Sequence, residues 1–104
     1  MRVAGREIAT LENFMEALTE KALDRVLESS NGICRCKRCL TDVIALTLNR
    51  LWPRYVTSES GRRFVQEEIE KDKVQVDVTR ELYAALSVVK MHPAHSVSKT
   101  KASK

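Results

Sequence analysis

Apolar residues along this chain recur mainly at helical spacing, in stretches separated by short polar breaks. Leu11, Phe14, Met15, Leu18, Ala22 and Val26 share one face, which predicts a helix from about Leu11 to Leu27 with Thr10 as its N-cap. Glu12 and Glu16 lie in its early turns, where the helix dipole favours negative charge, and Ser29-Ser30-Asn31-Gly32 supplies a stop. A second helix, from about Thr41 to Leu51, carries Val43, Ile44, Ala45, Leu46, Leu48 and Leu51 around most of its circumference. That pattern predicts burial on nearly every side and makes this helix the expected centre of the core. Pro53 ends it, lacking an amide proton and driving Trp52 toward extended backbone. A third helix is expected to open near Ser58, capped by Ser58 or Thr57, and to run through Phe64, Val65, Glu68 and Ile69. Val74, Val76 and Val78 alternate as a strand would, yet Val78, Leu82, Ala85, Leu86 and Val89 keep helical spacing. A lone strand would have no partner, so a fourth helix is expected, closed by Met91-His92-Pro93.

Composition agrees with that reading. A chain of 104 residues with 43% hydrophobic content supports one core, and three glycines, two prolines and 5% aromatics argue against a many-turned β fold. The expected fold class is all-α: a small bundle of about four helices spanning residues 1–95, followed by a disordered basic tail at 96–104. No apolar stretch approaches the roughly 20 residues that cross a bilayer, and the N-terminus lacks the apolar core of a secretion signal. A cytoplasmic location without membrane insertion is therefore expected.

Charge is unevenly distributed. Residues 7–28 carry six acids against two bases, whereas residues 34–63 carry seven bases against Asp42 and Glu59. The tail adds Lys99, Lys101 and Lys104. A positive centre between acidic helices suits a localised anionic ligand better than a long nucleic-acid track. The competing reading is that acidic and basic segments neutralise one another across the fold. Arg50 and Arg54 also lie where they can act simply as partners of a negative helix end.

Cys34, Cys36 and Cys39 place three thiols on one turn. Zinc takes soft, deprotonated ligands at about 2.3 Å in a tetrahedron, and this spacing supplies one face of it. Asp42, His92, His95 or a second subunit are the sources open for a fourth ligand. Arg35, Lys37 and Arg38 would offset the charge of three thiolates on a divalent ion. Reduced, inert thiols and a reversible Cys36–Cys39 disulfide compete with the metal reading. Catalysis finds little support: no Ser, His and acid arrangement is evident, and there is no glycine-rich phosphate loop. Cys39 near a helix N-terminus lacks an evident base, so no enzymatic activity is expected.

The run from Cys36-Lys37-Arg38-Cys39 through Asp42, Ala45-Leu46, Leu48-Asn49-Arg50-Leu51, Pro53-Arg54-Tyr55 and Ser58-Glu59-Ser60-Gly61 resembles the signature of the late competence development protein ComFB family. Asn13-Phe14-Met15-Glu16-Ala17-Leu18 is similar to that family's N-terminal helix, and the likeness covers about residues 9 to 92. The resemblance implies a small all-helical homodimer, zinc held by cysteines in some members, and binding of cyclic dinucleotide messengers in others. It also implies roles in competence, type IV pili, motility and cell-size control. Two departures stand out. The fourth cysteine of a complete thiolate site is absent, and Trp52 stands where the family usually has a second proline before Pro53.

The expected function is therefore a non-enzymatic receptor for a cyclic dinucleotide, with cyclic di-GMP first. Arg50, Arg54, Arg62 and Arg63 would pair with phosphates or guanine edges, Trp52 or Tyr55 would stack on a base, and Ser58 with the amides after it would hold a phosphate oxygen. Asn49 either joins them or closes the helix end. The metal ligands would be Cys34, Cys36 and Cys39, and no organic cofactor is expected. The rival reading is a zinc-binding adaptor that docks on an unidentified component of the competence or pilus machinery without binding nucleotide. Nucleic-acid binding is the weakest reading, because aromatic residues do not interleave the basic ones.

Overall fold

Helices form where the periodicity places them, but their ends are set by groups the periodicity does not contain. The computed structural model describes residues 1–92, so the basic tail and His95 lie outside the described residues. The chain opens with β1 (Arg2–Val3) and β2 (Arg6–Glu7), an antiparallel hairpin. Ala4 (φ 54°) and Gly5 (φ 75°) form its two-residue turn, and left-handed backbone at both positions matches the twist of paired strands. A second strand pair, β3 (Glu12–Asn13) with β4 (Tyr55–Val56), joins distant parts of the chain.

Asn13 ends β3 and caps α1 (Phe14–Glu28), its Oδ1 accepting the Met15 amide at 3.1 Å. The first helix thus starts later than Leu11. Glu12 and Asn13 are committed to the strand pair, and Leu11 is exposed. At the other end Arg35 donates to the Leu27 carbonyl at 2.8 Å, a cation placed at a negative helix terminus. Helix α2 (Lys37–Asn49) begins four residues earlier than its apolar pattern indicates, because Cys36 serves as its N-cap. The Cys36 sulfur accepts the Cys39 amide at 3.3 Å. Ser58 caps α3 (Glu59–Lys71), its hydroxyl accepting the Gly61 amide at 3.1 Å, as expected. Lys73, left-handed at φ 55°, turns the chain into α4 (Val74–Met91), which includes the valines that alternated like a strand.

The four-helix, mostly α architecture matches expectation, but the core is centred elsewhere. Helix α4 packs against all three other helices, and its Val78 and Leu82 are wholly buried. Burial of α2 is confined to Cys39, Val43 and Thr47, while Leu40, Ile44, Leu46 and Leu48 sit half-buried at the core's edge and Ala45 is exposed. The expectation that α2 is buried all round is corrected: within one chain, α1 and α4 cover only one side of it. None of the helices among the described residues is long and apolar enough to cross a membrane.

Candidate functional site

The C-terminal end of α2 shapes the larger part of the site. After Asn49 the helix unwinds through Arg50, whose amide reaches the Thr47 carbonyl at 3.1 Å, and Pro53 prevents its continuation. The chain is then pulled against the start of α1. The Arg54 amide donates to Asn13 Oδ1 at 2.8 Å, and the Phe14 amide donates to the Arg54 carbonyl at 2.7 Å. One Asn13 oxygen therefore caps α1 and anchors the Trp52–Pro53 corner. The corner leaves Trp52 87% exposed, a large apolar ring held in solvent.

This corner and the first turns of α4 enclose a cavity of about 270 Å³. Met15 and Val74 contribute apolar lining, and Trp52 borders it. Arg50, Arg54 and Arg80 line the same space, as does Asp77. Their commitments differ. Arg80 lies 3.0 Å from Asp77 and 3.6 Å from Glu81, and Arg54 lies 3.9 Å from Glu68 on α3. Arg50 makes no ion pair with any described residue. An arrangement of forked donors beside an exposed indole suits a flat ligand carrying phosphate, since guanidinium groups bind phosphate through paired N–H groups and the ring offers a stacking face.

The remaining sequence-derived candidates are placed elsewhere. Ser58 and Arg62 line a separate recess of about 320 Å³ with Glu12 and Val56. The Arg62 guanidinium is ion-paired to Glu12 and lies over the Phe14 ring, 5.0 Å from its centroid. That engagement fastens α3 to the start of α1, so the expected open and positive first turn of α3 is only half open: Arg63 is exposed, Arg62 is committed inside the molecule. Asn49 and Tyr55 are exposed and line neither space. Of the eight expected ligand residues, Arg50, Trp52 and Arg54 line the first cavity, Ser58 and Arg62 the second, and Asn49, Tyr55 and Arg63 neither. Arg80 and Asp77 were missed, because no local pattern ties the first turns of α4 to a corner more than twenty residues earlier.

At the opposite end of α2, the sulfurs of Cys34, Cys36 and Cys39 lie within 4.8 Å of one another. Cys34 is exposed, Cys36 half-buried and Cys39 buried. The Cys39 amide holds the Cys36 thiol below its ordinary 9.0, whereas burial, reinforced by the neighbouring sulfurs, pushes Cys39 up to about 12. Three soft donors on one turn can hold a metal ion such as zinc, and Arg35, Lys37 and Arg38 supply nearby positive charge. Among the described residues no His, Asp or Glu joins the three sulfurs as a fourth donor. Asp42 is instead 3.5 Å from Arg38, and His92 is exposed at the end of α4.

Comparison with known proteins converges on one family. The model of the late competence development protein ComFB family matches residues 12–93. Competence protein ComFB of Bacillus subtilis (strain 168) is 34% identical over 59 residues, 57% of this chain and 60% of that protein, so the match spans less than two thirds of that relative. A solved structure of the late competence protein ComFB from Bacillus subtilis superposes with a TM-score of 0.76 at 28% identity, covering 88% of this chain and 100% of that one. With a superposable fold and a family match across most of its length, this chain belongs to the late competence development protein ComFB family.

Proposed function

We propose that this protein is a cytoplasmic, non-enzymatic receptor for a cyclic dinucleotide, cyclic di-GMP first, acting in the control of competence, pili or motility. The observation that carries the reading is Arg50: an exposed guanidinium without an ion-pair partner among the described residues, sharing a cavity with Arg54, Arg80 and the exposed Trp52. Phosphate would engage the arginines while a purine stacks on the indole. The cavity presents donors and a ring, and its one carboxylate is already paired, a lining suited to binding without chemical change. A cavity of about 270 Å³ is small for a ligand of this class, which favours a homodimer in which a second copy covers the rest. The exposed Trp52 and the half-buried side of α2 support that assembly.

Trp52 is the only tryptophan of the chain, so its fluorescence reports directly on the site. Titration with cyclic di-GMP is expected to give a saturable change, and Arg50→Ala to weaken affinity roughly tenfold or more, the worth of a hydrogen bond to a charged group. Absence of a saturable response to both cyclic di-GMP and cyclic di-AMP at hundreds of micromolar, confirmed by calorimetry, would defeat the proposal.

The cysteine cluster favours a second reading, a zinc-binding adaptor for an unidentified downstream protein. Cys34, Cys36 and Cys39 would hold the ion, which would brace the start of α2 as a structural cross-link. Pull-down of a partner that depends on the three cysteines, with no nucleotide response in any variant, distinguishes this reading from the receptor.

A further inference from the structure

We propose that Arg80 is a phosphate ligand of the cavity and that Asp77 is its built-in competitor, so that the anion binds by exchanging the Asp77–Arg80 ion pair for an Arg80–phosphate pair. The inference rests on the reading of this cavity as the ligand site, and it names two residues of that site from an element far along the chain.

Both side chains line the cavity from one face of α4, a single turn apart. Arg80 Nη1 is 3.0 Å from Asp77 Oδ1, and Nε is 3.6 Å from Glu81, so the guanidinium fork is occupied by carboxylates of its own helix. The Arg80 side chain is 62% exposed and that of Asp77 50% exposed. Ion pairs this wet are weak and exchange readily for a better-matched anion. A phosphodiester is such an anion: its two free oxygens match two N–H groups of one fork, and Arg50 and Arg54 already bring positive charge to the same space. Asp77 then stands beside the bound phosphate as a like charge. It lowers affinity twice, by holding Arg80 in the empty site and by repelling the ligand in the filled one.

A purely structural pair makes a different prediction. Asp77 near the start of α4 and Arg80 one turn on would stabilise the helix, and loss of either would lower stability with no directed effect on binding. Competition requires opposite signs: removing Asp77 tightens binding, removing Arg80 weakens it.

The test is a Trp52 fluorescence titration of the full chain with cyclic di-GMP and cyclic di-AMP, comparing the parent protein with Asp77→Asn, Arg80→Gln, both together, Arg50→Gln, and Arg2→Gln in the remote hairpin. Thermal melts establish that each variant is folded. Asp77→Asn is expected to tighten binding about threefold to tenfold and Arg80→Gln to weaken it about tenfold. The gain from Asp77→Asn should largely vanish in the Arg80→Gln background, since Asp77 acts mainly through Arg80. Arg2→Gln should bind as the parent. If the parent binds and Arg50→Gln weakens it while Asp77→Asn and Arg80→Gln behave as the parent, the exchange is overturned and the receptor reading stands. If Asp77→Asn and Arg80→Gln both weaken binding, the required opposite signs are missing and the competitor role of Asp77 is overturned. If the parent gives no saturable signal with either nucleotide, the receptor reading falls and this inference falls with it.

Discussion

Asn13 ties the candidate site together through one side-chain oxygen, which accepts the Met15 amide of α1 and the Arg54 amide of the corner. In the sequence it falls inside a helix that Thr10 is expected to cap, and its bond to a residue 41 positions away is invisible there. Asn13→Ala is expected to cost about 1 to 2 kcal/mol for the lost cap, with more if the Arg54 amide is left unpaired, read from urea unfolding. On the proposed receptor reading it should also weaken nucleotide binding, because the corner carrying Arg50 and Trp52 loses an anchor. Thr19 is the reverse case. Its hydroxyl is buried without a hydrogen-bond partner among the described residues, so Thr19→Val should raise stability by about 1 kcal/mol in the same assay. Proton competition governs the cysteines. A metal ion held here would bind thiolate; the Cys39 amide holds the Cys36 thiol below 9.0 and burial pushes Cys39 up to about 12, so affinity for zinc should climb with pH and fall on acidification. Chelator competition at about pH 6 and about pH 8 measures it; equal affinities at the two values would exclude thiolate ligation.

At the scale of elements, the helix bodies were legible and the helix ends were not. Apolar spacing marks α1, α2, α3 and α4 because every turn repeats it, but an end depends on which single group satisfies the first free amides. Ser58 was read correctly because its hydroxyl is a common cap, whereas Cys36 was passed over because sulfur is a rare one. That dual use of Cys36 as cap and candidate ligand yields a separation of roles. Cys36→Ser should retain helix content by circular dichroism, since a hydroxyl can accept the Cys39 amide, while zinc affinity falls by about tenfold or more with the loss of a soft donor. Arg62 shows the same limit from the side of charge. Its place in the first turn of α3 suggested a ligand residue, and only the packing of α3 beside β3 reveals Glu12 and the Phe14 ring as its partners.

For the whole molecule, the half-buried side of α2 bears on assembly. If a second copy covers it, Ala45→Arg, at an exposed position on that helix, should convert a dimer to a monomer in light scattering while the melting temperature of the chain changes little. A dimer that persists unchanged would place the interface on another face. Periodicity and the short motif between Cys36 and Gly61 were enough to determine the helix count, the class and the family, because helix formation and motif spacing are properties of neighbours along the chain. Tertiary structure alone decided that α4 rather than α2 centres the core, that Arg62 is committed to Glu12, and that Asp77 and Arg80 join Arg50 and Arg54 around one cavity. Those outcomes depend on which faces meet when helices pack, and a guanidinium pairs with whatever carboxylate or anion that packing brings within reach.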